Sequence, residues 1–122
     1  MITIHPKDIP QSQLHQYLLG AIAPRPIAFA STIDAQGRMN LATYSFFNVF
    51  SSNPPIIIFS PARRGRDNTT KHTLENVYEV KECVINIVNY TIAEQMSLAS
   101  TEYPRDVSEF IKSGLTPIDS KL

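Results

Sequence analysis

The chain has 122 residues, 43% of them hydrophobic and 18% charged, with eleven basic against eleven acidic side chains and a formal net charge of zero. That is enough chain for one domain with a modest core, and the balanced charge excludes whole-molecule attraction to nucleic acid or anionic lipid. A single cysteine, Cys83, excludes an internal disulfide and any multi-cysteine metal site. No run approaches the length of a membrane span, and Met1–Pro10 lacks the charged and apolar regions of a leader peptide, so a cytoplasmic protein is expected.

In chain order, Ile2-Thr3-Ile4 alternates and predicts an edge strand that Pro6 and Pro10 terminate. Ser12 predicts the N-cap of a helix over Gln13–Leu19, with Leu14, Tyr17 and Leu18 at helical spacing and Gly20 as its stop. Pro24 and Pro26 hold Arg25 extended. From Ile27 to Ile33 the pattern alternates, Ile27, Phe29, Ser31 and Ile33 on one face and Ala28, Ala30 and Thr32 on the other. The larger side chains predict a core face; the small ones predict the close approach of another sheet, a helix or a second subunit. Asp34–Arg38 reads as a hairpin loop in which Gly37 takes positive φ. One long strand from Met39 to about Phe50 then returns antiparallel. Thr43, Tyr44, Ser45 and Asn48 stud it with polar atoms, as either ordinary sheet-surface residues or the edge of a ligand site.

Asn53-Pro54-Pro55 breaks the chain, and Ile56–Phe59 reads as a buried strand. The loop after it gathers Arg63, Arg64, Arg66, Lys71 and His72 among Ser60, Thr69, Thr70 and Thr73. Thr73 predicts the N-cap of a helix to Val80, whose first N–H groups face the basic loop. Cations, hydroxyls and a helix N-terminus within a few residues suit a phosphate better than a merely solvated loop would. An apolar strand studded with polar residues beside that loop suits a flat aromatic ligand with a phosphate tail. Glu82–Val88 reads as a further strand with Cys83 as a small buried hydrophobe. Thr91 with Glu94, and Asp106 with Glu109, read as capping boxes for two short helices, the second ended by Gly114. Four or five strands with short peripheral helices make a mainly β, barrel-like domain over residues 1–122.

Other chemistries find little support. His5, His15 and His72 stand at no metal-ligand spacing, and neither a G-x-S-x-G elbow nor a phosphate-binding glycine pattern is present.

The ordered motifs do resemble a family. They are Ala23-Pro24-Arg25-Pro26-Ile27-Ala28, Ser31-Thr32, Gly37-x-x-Asn40-Leu41-Ala42, Tyr44-Ser45-x-Phe47, Asn53-Pro54-Pro55, Lys71-His72-Thr73-x-x-Asn76, Ser97-Leu98-x-Ser100, and Glu109-Phe110 with Gly114-Leu115-Thr116. From about Leu18 to Ser120 the set resembles the flavin reductase-like, FMN-binding split-barrel proteins. The resemblance implies a split β-barrel, a homodimer with FMN near the interface, and NAD(P)H as electron donor. It places Thr43, Tyr44 and Ser45 at the flavin ring and Ser60, Arg66, Lys71, His72 and Thr73 at the phosphate. Arg25 is expected to reach the cofactor or the partner subunit. His72 departs from the family, which commonly has an acidic residue there. Related chains continue past Leu122, so the expectation is a barrel lacking the family's C-terminal strands. Three readings follow: an oxidoreductase passing hydride from NAD(P)H to FMN and on to a small-molecule acceptor, a flavin-binding carrier or sensor without turnover, or a structural dimerisation domain with a decayed site.

Overall fold

Alanine at two alternate positions of one strand lets two layers approach it closely, and that strand is the centre of the molecule. A computed structural model of the chain describes residues 1–121. Strand β1 (Ala28–Ile33) lies between β2 (Met39–Tyr44) and β5 (Val84–Ile87), antiparallel to both. Ala28 stands opposite Tyr44 on one side and Ile87 on the other. Being central, β1 is buried on both faces. Ala28, Ala30 and Tyr44 form one cluster, against which Ala42, Phe47, Phe59 and Ile85 pack. On the opposite face Phe29 and Leu41 meet Ala99, Met96, Phe110 and Leu115.

The small-residue face therefore takes both a sheet and a helix. The sheet is β3 (Phe47–Ser52) with β4 (Pro55–Phe59), which approaches at the Ala28 end through Phe47 and Phe59. The helix is α2 (His72–Val80), whose Asn76 Nδ2 donates to Thr32 Oγ1 at 3.1 Å. Each approach requires a side chain no larger than Ala or Thr on β1.

The turn after β1 is built on Asp34. Its Oδ1 accepts the Gln36 and Arg38 amides at 3.0 and 2.9 Å, and Gly37 takes the φ of 82° expected of it. Burial works against the Asp34 carboxylate, but those amides and the Arg38 and Arg105 guanidiniums outweigh it and hold its pKa at about 2.

Several expectations are corrected. The strand from Met39 does not run on to Phe50: it ends at Tyr44, and β3 leaves to pair with β4 in a separate two-stranded sheet. The register explains this, because Tyr44 already faces the first residue of β1 and Pro26, two residues earlier, has no N–H with which to extend the ladder. Strand β4 is not buried. Ile57 and Ile58 are about half exposed and Val49 and Phe50 of β3 somewhat more; neighbouring strand residues point to opposite faces, so among the described residues both faces of the hairpin are left partly uncovered beyond Phe47 and Phe59.

The N-terminal residues Ile2–Ile4 form no strand; they precede a 3-10 turn over Pro6–Asp8. Helix α1 (Gln11–Ala21) starts directly after Pro10, whose carbonyl accepts the Gln13 and Leu14 amides, so Ser12 lies inside it rather than capping it. Gly20 does not stop the helix. Arg25 does the terminal work instead: its Nη1 donates to the Leu19 carbonyl at 2.6 Å and to the Ile22 carbonyl. The guanidinium engages the end of α1 through Nη1 alone, and its buried Nε has no partner among the described residues. The two capping boxes do not form either. Helix α3 (Ala93–Ala99) grows out of a 3-10 turn at Tyr90–Ile92, and α4 (Glu109–Ser113) has no side-chain cap because Glu109 turns inward. Gly114 ends α4 at φ 70° as expected. Among the described residues, no helix is long and apolar enough to cross a membrane.

Ala30 is fully buried between Ala42 and Ile85 of the neighbouring strands. Ala30→Leu should therefore lower stability by about 1–3 kcal/mol through overpacking. A urea midpoint that does not move would show that the second layer has slack at β1.

Candidate functional site

Strand β2 is an edge strand of its sheet, and its free edge forms one wall of a cleft. The Leu41 N–H points out of the sheet there, to Glu109 Oε2 at 3.3 Å. Backbone direction repeats every second residue along a strand, so the Thr43 amide faces the same way. Helix α2 supplies the second wall. Its Leu74 and Glu75 amides both close on the Lys71 carbonyl, at 3.0 and 3.3 Å. The His72 and Thr73 amides, at the very start of the helix, have no helical carbonyl to meet. Residues Ala99–Tyr103 close the remaining side.

Thr73 is not the cap. It is the second residue of α2, only 1% exposed, and its Oγ1 receives Asn40 Nδ2 and Tyr44 Oη, each at 2.8 Å. Asn40 and Tyr44 lie four residues apart on one face of β2, so one hydroxyl ties two points of the strand to the helix start. Burial raises the Tyr44 phenol above its usual range, so it stays a protonated donor. The Lys71 ammonium sits 5.3 Å from the centre of the Tyr44 ring, which holds it by cation–π attraction at the cleft.

Arg64 is the second cation. Its Nη1 donates to Thr69 Oγ1 at 3.1 Å and to the Thr70 carbonyl, and its Nε lies 3.7 Å from Glu102. Burial, then the Arg64 and Arg105 charges, push the His72 pKa down, so this side chain is a neutral imidazole near pH 7. Because the unfolded chain binds that proton more readily, His72 contributes stability above pH 6.5 that is lost as pH falls through its folded value. Burial also raises the Glu109 carboxyl, which its own amide and that of Leu41 only partly offset.

The cleft brings together Thr43, Tyr44, Lys71, His72 and Thr73 of the residues singled out in the sequence. It does not include Ser45, Ser60 or Arg66. Ser45 stands half-buried at the bend after β2. Ser60 is exposed at the end of β4, its amide on the Phe46 carbonyl at 2.9 Å. Arg66 is turned to solvent beside Asp67, at 3.4 Å. Sequence reasoning missed Arg64, Asn40 and Glu109. Arg63, Arg64 and Arg66 are indistinguishable by composition, and only the fold of the loop through Thr69 and Thr70 turns Arg64 inward. Asn40 had a signal in its four-residue spacing to Tyr44. Glu109 read as a capping residue because its real partner is sixty-eight positions away.

The cleft measures about 60 Å³, far below the 300–1,000 Å³ or so that encloses a whole small ligand. It has room for a phosphate-sized group. A larger cavity of about 330 Å³ lies elsewhere, beside Ser31, Ile33, Met39, Cys83 and Phe110, but its charged lining is Glu82 and Asp119. Among the described residues, no group of three histidine, cysteine or acidic side chains is placed to hold a metal ion.

Thr73→Val keeps the shape of this junction and removes its hydroxyl. It leaves a buried amide and a buried phenol short of a partner and should cost about 1–3 kcal/mol. Chemical unfolding measures it, and an unchanged midpoint would mean that packing alone joins α2 to β2.

A 43% identical protein of Aquifex aeolicus, itself uncharacterized, aligns over 94% of this chain and 58% of its own length. The crystal structure of nitrilotriacetate monooxygenase component B from Bacillus cereus superposes on the whole chain with a TM-score of 0.92 at 32% identity, over 59% of its own length. A Shewanella frigidimarina protein with a split barrel domain matches 99% of the chain at 26% identity and a TM-score of 0.74, over 60% of its length. The chain thus spans a little under three fifths of the relatives' length. The same mainly β architecture with peripheral helices is the split-barrel fold. The model of the flavin reductase like domain matches residues 20–122, and the chain belongs to that family.

Proposed function

We propose that the chain is the flavin-holding part of an NAD(P)H-dependent oxidoreductase, with FMN bound through its phosphate in the α2 cleft. The observation that carries this reading is the meeting of two free helix amides, Arg64 and Lys71 with the outward edge of β2. Such a donor set fits a phosphate. Helix amides and the dipole favour a dianion, Lys71 supplies a point charge, and Arg64 presents planar donors. Family membership and the likeness to a monooxygenase component support a flavin in place of some other phosphate ester.

Bound flavin would supply the hydride chemistry itself, so no acid, base or nucleophile is required of the protein. The chain's share is to bind and orient. Lys71 and Arg64 fix the phosphate end, and the Thr43 amide offers a hydrogen bond from a rigid strand to the ring. Tyr44, locked like Asn40 by the Thr73 hydroxyl, keeps that strand and Lys71 in register. NAD(P)H as donor, a small-molecule acceptor and a homodimer complete the proposal. Support for the dimer is the partly uncovered apolar surface on both faces of the β3–β4 hairpin, where Val49, Phe50, Ile57 and Ile58 are all at least half exposed.

Two measurements test the reading. Mixed with FMN and NADH or NADPH in a stopped-flow instrument, the protein should bleach the flavin band faster than the protein-free control. A yellow protein that binds FMN without bleaching would leave a carrier or sensor, and a colourless one would leave only a structural domain. Lys71→Ala should weaken FMN binding by about 1.5–3 kcal/mol, the value of a charge-assisted hydrogen bond. Its cation–π contact with Tyr44 is worth only about 0.5–1 kcal/mol at a solvent-facing site, so folding should change less than affinity does. Equal losses in the two would make Lys71 a scaffold residue.

A further inference from the structure

Arg105 lies in the segment between α3 and α4, and no motif singles it out. Its Nη1 is 2.6 Å from Glu75 Oε2, while Nη2 is 3.2 Å from Asn76 Oδ1 and 3.3 Å from Asp34 Oδ2. One guanidinium therefore joins the β1–β2 turn to the first turns of α2.

Each of its three acceptors is itself held. Asp34 is 3% exposed and also takes Arg38 Nε at 2.7 Å. Asn76 is 2% exposed and bonded to Thr32 of β1. The other oxygen of Glu75 accepts the Thr70 hydroxyl at 2.5 Å, and the Thr70 carbonyl accepts Arg64 Nη1. The contacts form an unbroken path from Arg105 through Glu75 and Thr70 to Arg64, which lines the cleft. Arg105 itself is not among the cleft residues.

We propose that Arg105 is the positioning residue of the anion cleft: it orients the N-terminus of α2 and, through Glu75 and Thr70, holds Arg64 where the phosphate binds. This rests on the flavin reading above. The physical case is one of preorganisation. Arg105 and Glu75 are each more than a third exposed, so their pair adds little to global stability. A planar guanidinium bonded to three fixed acceptors nevertheless removes the freedom of the groups behind the cleft, and affinity rises when a site needs no ordering on binding. Lysine carries the same charge, but its single ammonium cannot reproduce this fork.

The experiment uses FMN and riboflavin, which differ only in the phosphate, titrated by fluorescence against wild type, Arg105→Lys and Thr70→Val, with urea unfolding of each. The expected result is a fall of about tenfold in the preference for FMN over riboflavin in both variants, the lower end of what losing an outer partner costs a ligand site. Riboflavin affinity should stay nearly unchanged in both, as should the unfolding midpoint of Thr70→Val, whereas Arg105→Lys should lower its midpoint because the buried Asn76 Oδ1 loses its donor. Three results would overturn the assignment: a full preference retained by Arg105→Lys, which would make the effect one of charge alone; equal loss of both flavins; or an undiminished preference in Thr70→Val, which decides the matter even where Arg105→Lys is unstable. A wild type that binds both flavins equally would remove the phosphate cleft and this inference together. A wild type that prefers FMN while its variants keep that preference removes only the role of Arg105.

Discussion

The buried hydroxyl of Thr73 is the point on which the arrangement depends. It accepts two donors that belong to the same strand, and it stands one residue inside the helix whose free amides face the cleft. A buried donor without a partner is far more costly than a made bond is favourable. Asn40 and Tyr44 can therefore be satisfied only when α2 begins at this place and angle. Lys71 and the first amides of α2 are fixed as a consequence. What looks like a binding feature in the sequence is a structural joint that leaves its neighbours free to bind.

The joint in turn needs β1. Only small residues at Ala28, Ala30 and Thr32 allow a sheet and a helix to press on one face while Phe29 fills the other. Because β1 takes the central place, β2 is left at the edge with outward N–H groups that have no strand to pair with. Glu109 meets one of them, at Leu41. Edge amides are usually a liability that proteins cover. Here the uncovered part falls next to the cationic cleft, where a ligand rather than another strand can use it.

Much of this was legible in the residues, and the pattern of what was not is physical. The positive φ at Gly37 and the stop at Gly114 depend on local sterics, and each appears where the sequence places it; the Ile27–Ile33 alternation yields a strand from Ala28, but its small-residue face is the more buried and Ile33 is 41% exposed. The basic loop and its helix were also legible, as was the company of Tyr44, Lys71, His72 and Thr73. Failures cluster where a side chain took a partner that its residue type and position do not announce. Glu109 left its capping position for Leu41, Arg25 took the end of α1, and Arg64 rather than Arg66 turned inward. The bend after Tyr44 was hidden for a related reason: strand propensity runs on through Phe50, but the partner strand does not. Short-range rules see propensity, whereas pairing is decided by what lies alongside.

Size and charge point to different cavities, and the chemistry of the ligand decides between them. The 330 Å³ cavity is the roomier and more apolar, yet its ionisable lining is acidic apart from the Cys83 thiol, which burial and Glu82 keep protonated. An anion placed there would meet like charge without a cation in the lining to offset it. The 60 Å³ cleft is too small for a ring system but has Arg64 and Lys71, with Glu102 already engaged by Arg64 and Glu109 by the Leu41 amide. With a net charge of zero the protein has no general field to gather anions, so any anion site depends on such a local concentration. A phosphate ester would fit the small cleft better than the large cavity, and the strand edge beside it presents outward-facing amides to the rest of such a ligand.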